Sequence, residues 1–125
     1  MEFSSSMDKR ERKILQLRFG LALIHILDER KAAASKKSKK GIKEHQQVTS
    51  LRTLSAGSGI EFSTVQKISK GDQGLAFFTF IDLIDALEMD MISFGKYFHA
   101  ITPEEIKAYH VKILQARAAA KKKKK

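Results

Sequence analysis

No cysteine occurs among the 125 residues. That excludes disulfides and thiolate metal sites, and it fits a reducing compartment. A cytoplasmic location is the expectation. Long apolar runs are also missing. The longest, Phe19 to Leu27, is about half the ~20 residues a membrane-spanning helix needs, and it contains Gly20 and His25. The residues DERK follow it, not a small-residue cleavage site, so neither a membrane span nor a signal peptide is expected. Proline occurs once, at Pro103. The length suits one compact domain with appended segments, and no internal repeat is visible.

Catalytic signatures are absent too. The histidines, His25, His45, His99 and His110, form no HExxH or other close ligand pair. His25 sits among apolar residues and reads as a core or interface position. His99 and His110 have no spacing that demands a shared metal. Asp82 and Asp85 share a helical face, yet no nucleophile or phosphate loop accompanies them, so a solvated acidic face is the reading. Gly71-Asp72-Gln73-Gly74 lacks the Gly-Lys-Ser/Thr ending of a P-loop. Phe77, Phe78 and Phe80 resemble a stacking platform for single strands. At helical spacing beside Leu83 and Ile84 they read better as core. No enzyme, cofactor or metal is expected.

What the chain has is positive charge, unevenly placed. The formal net charge is +10. Lys31, Lys36, Lys37, Lys39, Lys40 and Lys43 are opposed locally by Glu44 alone, and Lys121 to Lys125 close the chain. From Asp72 to Glu105 the balance reverses: Asp72, Asp82, Asp85, Glu88, Asp90, Glu104 and Glu105 face only Lys96. Basic arms and an acidic back favour a polyanion partner through counterion release. The plainer reading of the terminal lysines is a solubilising tail.

Along the chain, residues 1–7 are Ser-rich and expected to be disordered. Asp8 to about Ala34 predicts one long helix with two apolar stripes: Leu15, Phe19, Leu23 and Ile26, and Ile14, Leu17, Leu21 and Ile24. Two stripes need two partners. Residues 33–47 read as a polar, Lys-rich linker, expected to add nonspecific affinity for a polyanion. The main domain is placed at 8–100, with that linker inserted. A last helix is predicted over 101–120, followed by the Lys tail at 121–125. Thr102 is its N-cap, Pro103 its first turn, and Ile106, Tyr109, Ile113 and Leu114 its apolar stripe, expected to cover the spare face of the first helix within one chain or between two copies.

The stretch Ser50 to Phe94 is the most informative. Ser50 can cap a helix from Leu51 to about Gly57, with Leu51 and Leu54 inward. Gly57 and Gly59 supply a stop and a turn. A second short helix, Phe62 to Ser69 or Lys70, has Val65 and Ile68 inward and Ser63, Thr64, Gln66, Lys67 and Lys70 outward. Hydroxyls, an amide and ammonium groups on one face can read base edges and phosphates. An ordinary solvated helix is the alternative.

This run resembles the phage-repressor-like (XRE-type) helix-turn-helix family. Gly59-Ile60 match its turn, and Val65, Ile68 and Gly71 its recognition-helix anchors. Thr79-Phe80, Leu83 and Ala86-Leu87 match the next helix, and Met89, Met91 and Phe94 the last, with no gap. Phe19-Gly20, Leu23 and Ile26 look like its first helix. The departures are Ser69 for a common Glu, Leu75 for a loop Pro, Leu51 for a phosphate-binding Gln, and Glu61 for a Ser cap.

The resemblance implies an all-α, lambda-repressor-like domain of about five helices with an appended C-terminal helix. It implies sequence-specific binding of double-stranded DNA by a homodimer, as in a transcriptional regulator. Gln66 would face adenine, Lys67 guanine or phosphate, and Ser63 or Thr64 either. Arg52 and Lys70 would touch phosphate. Phe62 would contact a thymine methyl or turn inward. Two rivals stand beside it: the antitoxin of a toxin–antitoxin pair, which has a protein partner, and a protein-interaction module that has lost DNA binding. Leu51 and the acidic Glu61 favour the latter rival.

Overall fold

The computed structural model describes residues 8–39 and 48–123, and among these every regular element is a helix. The expectations placed on residues 1–7, on 40–47 and on Lys124 and Lys125 lie outside the described residues. So does everything that concerns the side chains of 35–39, Lys122 and Lys123.

Helix α1 spans Lys9–Lys39. It runs past the boundary expected near Ala34, into the segment read as linker. Ala32 to Ala34 and the lysines beyond are good helix formers, and no Gly or Pro interrupts before Gly41. The remaining helices are α2 (Leu51–Ser58), α3 (Phe62–Ser69), α4 (Phe77–Ala86), α5 (Met91–Ala100) and α6 (Pro103–Lys123). α6 outlasts the expected end at Ala120 because alanine and lysine continue its propensity.

α1 is the axis of the fold. α3, α5 and α6 all pack on it, while α2 packs on α3 and α4. Both predicted stripes of α1 are used. Leu17, Phe19, Leu21, Leu23 and Ile26 are buried, and Ile24 is half-buried. Ile14 and Leu15, near the N-terminal end, are exposed. Phe19 meets Phe94 of α5 and Phe80 of α4 at ring centroid distances of 5.0 and 5.7 Å. Phe80 and Phe94 lie edge-on at 5.5 Å. Leu54, Val65, Leu83, Ile84 and Leu87 complete this side of the core.

The second partner that α1 needs is α6 of the same chain. Ile106 and Ile113 are buried, and Tyr109 is half-buried against the core. Leu114 is 49% exposed, so the stripe expected of α6 is narrower than four residues. Phe77 and Phe78 also depart from the expected core position, at 62% and 79% exposure. On α4 the inward direction is set by Phe80, Leu83, Ile84 and Leu87. Phe78 points away from it, and Phe77 stands at its edge in the first turn.

Two helix starts carry a pH dependence. Thr102 Oγ1 accepts from the Glu105 amide at 3.1 Å, and Glu105 Oε1 accepts from the Thr102 amide at 3.2 Å, a capping box. Asp90 Oδ1 accepts from the Ser93 amide at 2.7 Å. These backbone donors hold both carboxyls below their ordinary values of 3.8 for Asp90 and 4.5 for Glu105. With lowered folded values, their contribution is complete above the unfolded values and is lost as pH falls through the folded ones. The thermal midpoint should therefore drop as the pH is lowered below 4.5. Asp90→Asn combined with Glu105→Gln should make that drop shallower. An equally steep drop in the double variant would remove the caps from the explanation.

Candidate nucleic-acid interface

The candidate surface is built on α2, the turn at Gly59 to Glu61, and α3. Ser50 starts α2. Its Oγ accepts from the Thr53 amide at 3.2 Å, and Thr53 Oγ1 accepts in return from the Ser50 amide at 3.0 Å. Gly59 ends α2 in the left-handed region, φ 75°, and its amide donates to the Ser55 carbonyl. A residue with a Cβ is strained at that φ, so glycine is the natural stop. Ser55 Oγ donates to the Ile60 carbonyl at 2.6 Å, and Ser58 Oγ accepts from the Ile60 amide at 3.3 Å. The turn is thus tied down by α2's own serines.

Glu61, which stands where the resembling family has a Ser cap, precedes α3 and makes no side-chain cap bond. Its φ of −54° is not the extended conformation that the other caps adopt. A different contact holds the start of α3: the Arg52 guanidinium lies over the Phe62 ring, 4.4 Å from its centroid. Phe62 is therefore a half-buried platform for Arg52 rather than a core residue. Nothing in the sequence spacing signalled that pair.

The far end of α3 is seated on α1 and α6. Val65 and Ile68 are buried, as expected. Ser69 is buried too, its Oγ donating to the Gln66 carbonyl at 2.7 Å. Gly20 of α1 lies directly beneath this end of the helix; a Cβ on Gly20 would meet the Ser69 carbonyl oxygen at 2.2 Å, so the close approach requires glycine at position 20. Gly71, at φ 72°, closes α3, and the Asp72 amide donates to the Lys67 carbonyl at 2.9 Å. A Cβ on Gly71 would lie 2.9 Å from Leu17.

Charge and a phenol finish the seat. Lys13 Nζ donates to the Gly71 carbonyl at 2.7 Å and pairs with Asp72 at 3.2 Å. Arg117 of α6 pairs with the same Asp72. Tyr109 of α6 donates its hydroxyl proton to the Ser69 carbonyl. Burial first, and the negative Asp72 second, push the Tyr109 phenol up to about 12. Sequence reasoning missed this anchoring role of Asp72 and Tyr109, because their partners lie 40 to 59 residues away.

The six predicted site residues fall on this one unit. Ser63, Lys67 and Lys70 are exposed, and Thr64 and Gln66 are half-exposed on α3. Arg52 is exposed on α2, next to Phe62. Such a face offers neutral donors and acceptors flanked by cations. Among the described residues, no group of three or more His, Asp or Glu side chains could hold a metal ion, and no helix is long and apolar enough to cross a membrane. No protein-family model, curated protein or solved structure matches the chain.

Proposed function

We propose that this protein binds double-stranded DNA with sequence preference, as a transcriptional regulator of the phage-repressor-like kind. α2 and α3 are its helix-turn-helix, with α3 in the major groove. The observation that supports this best is the outward face of α3. Its mixture of hydroxyls, an amide and ammonium groups stands on a rigidly seated, 8-residue helix. That is what base-edge and phosphate contacts require.

On this reading Gln66 and Lys67 choose the bases, while Lys70 and Arg52 hold phosphates. The protein should select a preferred site from random genomic fragments. Gln66→Ala should then cost roughly 1–3 kcal/mol on that site and relax the choice of base, whereas Lys70→Ala should weaken all duplexes about equally. If both variants match the parent on specific and random duplexes, the groove assignment fails.

A homodimer on a two-half-site operator belongs to the same proposal. Val111 and Leu114, exposed on α6, are apolar positions such an interface can use. A parent that sediments as a monomer at tens of micromolar, roughly the range of weak association, would remove the dimer. One observation favours a second reading. Phe77 and Phe78 form an exposed edge-to-face pair, 5.8 Å between centroids, which suits a protein-interaction module or an antitoxin's toxin contact. Salt-dependent binding to random duplex separates the two: the regulator binds, and the pure interaction module does not.

A further inference from the structure

A groove of about 380 Å³ opens between the first half of α1, the loop that joins α3 to α4, and α5. On α1 it takes Arg12, Gln16 and Phe19, spaced four and three apart and so on one helical face. Its apolar lining is partly core. Phe19 and Ile68 are buried, while Leu75 and Phe98 are half-buried walls. None of the candidate DNA contacts belongs to it.

Three polar side chains share this lining: Arg12 and Gln16 from α1, and Gln73 from the loop. The loop runs close to α1, since a Cβ on Gly74 would stand 3.4 Å from Gln16 Nε2. Arg12 is exposed and, among the described residues, pairs with no carboxylate. Asp72, the acid beside Gln73 in sequence, is already held by Lys13 and Arg117. No carboxylate lines the groove among the described residues. A second cation backs the Phe98 wall. The Arg18 guanidinium lies 5.4 Å from that ring's centroid, and its Nε is buried with no hydrogen-bond partner.

Each part of the lining selects for something. Aromatic walls and a cleft of this size suit a flat apolar body of small-molecule dimensions. A guanidinium beside two primary amides suits a carboxylate, which accepts paired hydrogen bonds from the guanidinium fork. Two cations without a lining acid disfavour a positively charged ligand.

We propose that this groove is a binding site for a small aromatic carboxylate. The ring lies against Leu75 and Phe98, and the carboxylate takes Arg12, with the Gln16 and Gln73 amides donating beside it. Such an occupant joins α1 to the loop that follows α3 and touches Ile68, the buried anchor of α3. The inference goes beyond the DNA reading and does not depend on it.

Cinnamate titrated calorimetrically into the full chain tests this, with the neutral cinnamide as comparison. Cinnamate should bind saturably, and at least about tenfold more tightly than the amide, because charge-assisted hydrogen bonds are the stronger kind. Arg12→Gln should abolish that preference and leave cinnamide binding unchanged. Leu75→Ala should weaken both compounds. Arg10→Gln makes the same charge change at an exposed position of α1 outside the lining, and should bind like the parent. A parent without saturable cinnamate binding overturns the site. So does an Arg12→Gln variant that keeps the preference, or a Leu75→Ala variant that binds both compounds like the parent. Equal loss in Arg10→Gln also overturns it, because net charge would then be the cause.

Discussion

Gly20→Ala should destabilise the protein by about 3 kcal/mol or more, against the usual direction of a Gly→Ala change in a helix. In an open helix the added methyl would stabilise by up to ~1 kcal/mol. Here it would sit 2.2 Å from the Ser69 carbonyl oxygen and 2.9 Å from that of Ile68. Both obstacles are backbone, so no rotamer change relieves the clash. α1 and the end of α3 must move apart. The Tyr109 bond to the Ser69 carbonyl would be disturbed as well. Gly95→Ala is the matched control. Its Cβ would find only His99 Cδ2, at 4.0 Å, so that change should be neutral or stabilising. Urea unfolding of the two variants checks the contrast. Equal stabilities would mean that α1 and α3 do not approach this closely. If the proposed DNA binding holds, it should weaken in Gly20→Ala even where the chain stays folded, because the seat of α3 is displaced.

Ile106→Ala with Ile113→Ala should cost at least ~4 kcal/mol, since each truncation of a buried Ile costs ~2–5 kcal/mol. Both side chains belong to the single core cluster and cover the second stripe of α1. Leu114→Ser, one residue on but 49% exposed, should change the stability of the single chain, measured at dilution, by no more than ~0.5 kcal/mol. The contrast distinguishes an intramolecular brace from a helix held by a twin. If α6 were seated on a second copy, the double truncation would act through dissociation, and its effect would depend on protein concentration. A concentration-independent loss of stability is the expected result. A chain that keeps its stability after the double truncation would show that α6 contributes little to the core.

The helices from Leu51 to Ala86 were legible because each carries local signals. Ser50, Gly59 and Gly71 mark starts and stops. Val65 with Ile68, and Leu83, Ile84 and Leu87, repeat at helical spacing. The outward residues of α3 follow from the same period, since fixing two inward positions fixes the rest. The two stripes of α1 correctly required two partners, and the cap at Thr102 followed from residue type alone.

Local signals misled where tertiary placement decides. Phe77 and Phe78 share the composition of the core, but the rotation of α4 turns them out. Glu61 has the chemistry of a cap but not the backbone angle. α1 continued beyond Ala34 because helix propensity outweighed the polar composition read as linker. The seat of α3 was beyond sequence reasoning altogether. Gly20 reads as a mild helix weakener until Ser69 is seen above it. Asp72 reads as a loop acid until Lys13 and Arg117 converge on it. Periodicity and caps act within a turn or two of the chain, so the sequence alone determined the helices and the polar face of α3. Which surfaces meet depends on packing between distant segments, and only the tertiary structure decided that α6 braces α3 from the same chain.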